Sequence, residues 1–167
     1  EDTSGFPAQQ LMRIYVPSIG DAIPACDAKV VIGNAAVSRV QVIDARTDSV
    51  VGSAPLSGSP GRMRRIAGTN AALLAVGTGQ VARVDLATGA VAYVPIAGTV
   101  RDIASGEAGE AMVLHTPTGS PYADSWIAVV DVATLTVLAD RKLPKEGSLI
   151  AYDAMGHLAY LANTGLS

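Results

Sequence analysis

The frame D-x-x-T-x-x-V recurs at Asp44–Val50, Asp85–Val91 and Asp131–Val137, each time between two short apolar runs. The fullest copy is Val40–Val51, V-Q-V-I-D-A-R-T-D-S-V-V, and looser copies lie at Ala82–Val91 and Ala128–Val137. A strand that ends at an Asp and restarts a few residues later reads as a hairpin. The Asp carboxylate can accept bonds from backbone N–H groups two or three residues on, and the Thr hydroxyl can do likewise. Asp44, Thr47, Asp85, Thr88, Asp131 and Thr134 are therefore expected to be structural turn residues. Arg46 and Asp48 of the first copy are replaced in the other two, so what repeats is the fastener.

A second frame follows each hairpin in the same order. Gly61-Arg-Met63-Arg-Arg-Ile66, Gly98-Thr-Val100-Arg-Asp-Ile103 and Gly147-Ser-Leu149-Ile-Ala-Tyr152 share G-x-Φ-x-x-Φ, with Φ apolar. A period of ~40–45 residues with about four short strands per unit is the sequence signature of a β-propeller. The expected fold is all-β, with four-stranded antiparallel blades, about three of them complete and a fourth in part. The units run approximately over 29–70, 71–110, 111–156 and 157–167, with the strand that carries the G-x-Φ-x-x-Φ frame closing each unit. Residues 1–10 read as a flexible N-terminal arm. The run Leu11–Pro17 reads either as a signature strand with an insertion or as the outer strand of another blade. The incomplete fourth unit leaves three readings open: a fragment of a longer chain, a small closed propeller in which Leu11–Pro17 pairs with Leu158–Leu161, or a ring built from several copies.

Composition agrees with this. Nearly half of the residues are apolar, at 49%, but aromatics make up only 4%, so the interior is built from Val, Ala, Leu and Ile. Seventeen Gly and nine Pro spread along the chain suit many short elements and not long helices. The net charge of −3 and the dispersed basic residues lack the electrostatic footprint of a nucleic-acid binder. Arg62, Arg64 and Arg65 are the densest cluster, but on a strand Arg62 and Arg64 share one face and Arg65 the other; they read as charges on a solvated edge strand. No apolar run approaches the ~20 residues that cross a bilayer as a helix. The start E-D-T-S-G-F-P lacks the basic and apolar regions of a signal peptide, as does a mature secreted chain whose signal has been removed.

Val40–Val51 resembles the hairpin of the YVTN-type β-propeller repeats of bacterial and archaeal extracytoplasmic proteins. Tyr160-Leu-Ala-Asn163 is similar to the signature strand of those repeats, and Pro60-Gly61 to their turn. The resemblance covers about residues 29–167, and the signature strand is degenerate at Leu73-Leu-Ala-Val76 and Met112-Val-Leu-His115. It implies a periplasmic, secreted or cell-surface location. It does not imply one activity, because the family includes surface-layer proteins, sugar-lactone hydrolases and propeller subunits of quinone-linked amine dehydrogenases.

Catalytic motifs are not discernible. Gly77-Thr-Gly79 follows a strand but lacks the third Gly and the helix of a dinucleotide fingerprint. Neither a phosphate-binding loop nor a serine elbow occurs. Asp44-Ala-Arg-Thr-Asp48 lacks the ligands of a calcium loop. Cys26, beside Asp21 and Asp27, reads as an inert thiol or as a partner for a Cys elsewhere. His115 and His157 stand at strand ends, where propellers carry their loops, so they are the imidazoles available to a rim site. Tyr122 and Trp126, in and after the loop Thr116–Asp124, are the candidate aromatic rim, with core packing the plainer role for Trp126. Asp102, Glu107, Glu110 and Asp153 lie near blade edges and are the carboxylates open to a His-plus-carboxylate metal site. The residues identify no cofactor.

The leading expectation is a non-catalytic binding or assembly module of an extracytoplasmic bacterial protein, with a protein partner or further blades of the same chain. No nucleic acid is expected, and oligomers are open. The alternatives are the propeller part of a lactone hydrolase or a quinone-dependent dehydrogenase, with its active groups elsewhere, and a structural surface or filament subunit.

Overall fold

The computed structural model describes residues 19–24, 29–107, 109–120 and 124–163. The expected arm at 1–10, the run Leu11–Pro17, Cys26 and Tyr122 lie outside them. The chain is all-β. The first sheet holds β1 (Ile19–Pro24), β2 (Lys29–Asn34), β3 (Arg39–Asp44) and β4 (Ser49–Pro55). The second holds β5 (Pro60–Arg65), β6 (Ala71–Val76), β7 (Gln80–Asp85) and β8 (Val91–Pro95). The third holds β9 (Thr99–Ser105), β10 (Glu110–Thr116), β11 (Trp126–Asp131) and β12 (Thr136–Lys142), and the last pairs β13 (Leu149–Asp153) with β14 (Leu158–Ala162). Strands follow one another in sequence order and pair antiparallel within every sheet. The first strands β1, β5, β9 and β13 touch one another in succession, which places them innermost. These are propeller blades, three complete and the first two strands of a fourth.

One expectation is corrected. The strand carrying G-x-Φ-x-x-Φ does not close a unit; as β5, β9 and β13 it opens the next sheet. The preceding outermost strands β4 and β8 end at Pro55 and Pro95, and one more backbone bond follows each, Leu56 N to Ser38 O and Ile96 N to Gly79 O. Beyond that bond the chain leaves the outer edge and crosses to the innermost position of the following blade. β5 is the inner edge strand of its sheet, next to β1 and β9, and its Arg62 and Arg64 are exposed, as expected of charges on a solvated edge.

Packing between blades follows the two-residue alternation of strands. β6 is buried along its whole length. Its Ala72, Leu74 and Val76 join Val31, Val40 and Val42 of the first blade. Its Leu73 and Ala75 face the third blade, where Ile103, Val113 and Val130 lie in the same cluster. A blade in the middle of the stack thus has two apolar faces and is stable only between neighbours. A smaller cluster of Ala104, Leu114 and Ile150 joins the third blade to β13.

The first two blades also meet backbone to backbone. A Cβ on Gly52 of β4 falls 2.2 Å from the Thr88 carbonyl oxygen, and one on Gly89 falls 2.7 Å from Gly52 Cα. The Gly of the second copy of the frame is therefore required by a neighbour as well as by its own turn.

Candidate functional site

The three repeated turns are built as the sequence suggests, with variations. Asp85 Oδ1 accepts from Ala87 N, Thr88 N and Thr88 Oγ1, each at 2.9 Å. Asp131 Oδ1 accepts from Ala133 N and Thr134 N at 2.8 Å, and Asp44 Oδ1 from Arg46 N at 2.9 Å. In the first and third copies the Thr hydroxyl instead shares a hydrogen with a neighbouring hydroxyl, Thr47 with Ser49 and Thr134 with Thr136. The structure adds two more members of the set. Asn34 Oδ1 accepts from Ala36 N and Asp153 Oδ1 from Met155 N. In all five turns the residue four positions on is left-handed: Ser38, Asp48, Gly89, Leu135 and His157, with φ between 44° and 73°.

These bonds hold the Asp44, Asp85 and Asp131 carboxyls below their ordinary range. The Arg46 N–H is the main cause at Asp44 and the Thr134 N–H at Asp131. At Asp85 burial pushes upward, but the bonds from Thr88 and Ala87 together outweigh it. A carboxyl whose folded value is depressed contributes stability that is complete above the ordinary value of 3.8 and is lost as pH falls through the lower folded value. Denaturant unfolding measured at successive pH values is expected to show stability falling below that point, with a shallower fall in Asp85→Asn. Equal slopes for the two chains would contradict the assignment.

The three described rim candidates separate. His115 is fully buried at 0% exposure, so it is not a rim residue. It lies at the end of β10 opposite Trp126 of β11, with ring centroids 6.5 Å apart. Its Nδ1 is 3.1 Å from the Ala97 carbonyl oxygen and its Nε2 is 3.0 Å from Asp140 Oδ1. The ring ties the linker before β9 to the outermost strand β12. Trp126 is partly buried, and its indole N–H is buried with no hydrogen-bond partner among the described residues.

His157 sits at the opposite end of the blades, exposed, in the β13–β14 turn. Its left-handed backbone makes it a corner of that turn. Its Nδ1 meets Glu107 Oε1, which also accepts from Tyr152 Oη at 2.8 Å. The Tyr152 and His157 contacts lower the Glu107 carboxyl, and the same bond pushes the Tyr152 phenol up to about 12. This is a clasp between the third blade and the fourth.

Of the carboxylates named for a metal site, Glu107, Glu110 and Asp153 lie around Tyr152, and Asp102 lies apart from them. Asp102 is 3% exposed on β9. Its Oδ2 accepts from Ile150 N of β13 at 2.9 Å, and its Oδ1 is 3.9 Å from Arg64 Nη2 of β5. Asp102 thus links three successive blades. Among the described residues no group of three or more His, Cys, Asp or Glu side chains is placed to hold a metal. Arg83 Nη1 extends the same pattern, donating across blades to the Val132 and Ala133 carbonyls.

The feature that sequence reasoning passed over is the outward face of the fourth blade. Ile150 and Tyr152 of β13 pack toward the third blade. The alternate residues point the other way, and Leu149, Leu158 and Tyr160 are exposed there at 36%, 53% and 56%. β14 is hydrogen-bonded to β13 along one edge, and no described strand pairs with the other. The signal was present in L-A-Y-L-A, whose apolar residues occupy both faces of a strand.

No protein-family model matches the chain, and no curated protein sequence matches it. Solved structures do. The WD40 domain of coronin from Toxoplasma gondii aligns at a TM-score of 0.73 and 12% identity, over 89% of this chain and 40% of that chain. The dihydro-heme d1 dehydrogenase NirN, in complex with DHE, aligns at a TM-score of 0.67 and 15% identity, over 88% of this chain and 32% of that chain. Apo AztD from Citrobacter koseri aligns at a TM-score of 0.61 and 14% identity, over 74% of this chain and 34% of that chain. The fold is that of a β-propeller. At such identities the likeness speaks for the fold alone, and the chain spans well under half the length of each of these structures. Among the described residues no helix is long and apolar enough to cross a membrane.

Proposed function

We propose that this chain is a binding and assembly module of an extracytoplasmic bacterial protein, working through the outward face of β13–β14. The observation that carries this is the coincidence of three exposed apolar side chains, Leu149, Leu158 and Tyr160, with an edge of β14 that no described strand pairs. An apolar sheet face beside a free edge is completed by strands of the same kind, which bury the face and extend the ladder. Elsewhere in the molecule the facing sides of neighbouring blades cover each other in that way. The occupant is therefore a further set of blade strands, those of a second copy of this chain. The extracytoplasmic setting rests on the resemblance of Val40–Val51 and Tyr160–Asn163 to YVTN-type repeats.

Sedimentation velocity over a concentration series tests the face. The wild-type chain is expected to self-associate as concentration rises, and Leu158→Lys with Tyr160→Lys is expected to weaken that association at least tenfold without changing the far-UV spectrum. A wild-type chain that stays monomeric throughout, or associates just as the charged variant does, would overturn the reading.

A further inference from the structure

A cavity of about 400 Å³ opens between the second and third blades, at the end where β9 begins. Thr99 and Thr116 face each other across β9 and β10 at its base. Thr78 comes from the β6–β7 turn of the neighbouring blade, and Thr118 and Ser120 from the turn after β10. Gly79 N donates to the Gly98 carbonyl at 2.8 Å, which pins the two blades together beside the cavity. The turn after β10 is closed by Ser120 N donating to the Pro117 carbonyl, with Gly119 left-handed at φ 81°.

Two observations give this cavity chemical character. The first is Arg101, which lines it with a side chain only 6% exposed. Its Nη1 donates to the Gly147 carbonyl at 2.8 Å and lies 3.4 Å from Glu146 Oε1, so the guanidinium is fixed before any ligand arrives. The second is Thr116, which is 8% exposed and whose hydroxyl is buried with no hydrogen-bond partner among the described residues. A buried hydroxyl of this kind calls for a water or a ligand. The remaining polar lining is hydroxyl, and no carboxylate is among the lining residues.

We propose that this cleft binds a small oxyanion, a phosphate, sulfate or carboxylate group. The buried Arg101 guanidinium supplies positive charge beside such a group. The threonine and serine hydroxyls supply further donors around it. Glu146 competes for the same guanidinium, which limits the site to a modest affinity and to ligands with concentrated charge.

The test is a titration of the full chain with phosphate, sulfate and acetate, followed by amide resonances, with chloride as the ionic-strength control. Saturable shifts are expected at Thr99, Thr116, Thr118 and Ser120. Acetate against phosphate tells a carboxylate ligand from a phosphoryl one. Arg101→Gln is expected to weaken binding about tenfold, the loss of one charge-assisted pair, and Glu146→Gln to tighten it. Thr116→Val nearly preserves the side-chain shape and keeps the proposal falsifiable if Arg101→Gln misfolds. It is expected to leave the ligand-free chain as stable as wild type or more so while weakening the anion several-fold. Shifts that do not saturate, that chloride reproduces, or that persist unchanged in Thr116→Val would overturn the proposal.

Discussion

Replacing Asp102 by alanine is expected to cost about 2 kcal/mol of stability, the loss seen when a buried N–H is left without its charged acceptor. The side chain sits on β9 with β5 on one side and β13 on the other, and is almost wholly buried. Taking it away strands the Ile150 N–H in the interior and leaves Arg64 without its carboxylate. Arg64 is not lost entirely, because its Nε still donates to the Ile103 carbonyl at 3.0 Å. Asp102→Asn keeps an oxygen for Ile150 N and gives up only the ionic part, so its expected cost is about 1 kcal/mol. Urea unfolding of the three chains measures both values. A loss below about 0.5 kcal/mol for the alanine variant, the range of ordinary surface substitutions, would show that Asp102 does not hold the inner strands together.

The second large effect is at His115. Both ring nitrogens face oxygens, Ala97 O and Asp140 Oδ1. A carbonyl can only accept, so the bond to Ala97 O is one in which the ring Nδ1–H donates. His115→Phe fills the space and gives up both contacts, whose oxygens on exposed Ala97 and half-exposed Asp140 water can reach, at an expected cost of about 1 kcal/mol. His115→Ala adds an empty volume beside Trp126 and is expected to cost about 3–4 kcal/mol. If His115 served a ligand and not the fold, both variants would unfold at the wild-type urea midpoint.

What could be read from the sequence was whatever is local. The Asp and Thr of each hairpin bond to atoms two or three residues away, so their frame survives as a repeat, and the number of blades follows from it. The phase of the blades is not local: G-x-Φ-x-x-Φ looks the same whether it ends one sheet or begins the next, and only pairing of β5 with β6 decides it. The left-handed position after the Thr was hidden because Asp48, Gly89 and Leu135 share a backbone angle but no side-chain type.

His115 was misread for a related reason. A polar residue at a strand end suggests a loop, yet a register shift between Leu114 and His115 alters the β9–β10 pairing there, and the ring is fully buried. Asp102 gave no signal, since its partners Arg64 and Ile150 are distant in the chain and belong to other blades. The exposed face of β13–β14 was legible as composition but not as surface, because a strand apolar on both sides reads equally well as buried.

The central claim is that β14 is a docking edge. Hydrogen exchange of the backbone amides of Leu158–Ala162 tests it most directly, measured at low and at high protein concentration, with β6 as the internal reference. In an antiparallel edge strand alternate amides point away from the sheet. Those amides are expected to exchange rapidly at low concentration and to gain protection as concentration rises, while β6 stays protected throughout. Exchange along β14 that is independent of concentration and as slow as that of β6 would mean that the edge is already satisfied, and would contradict the account.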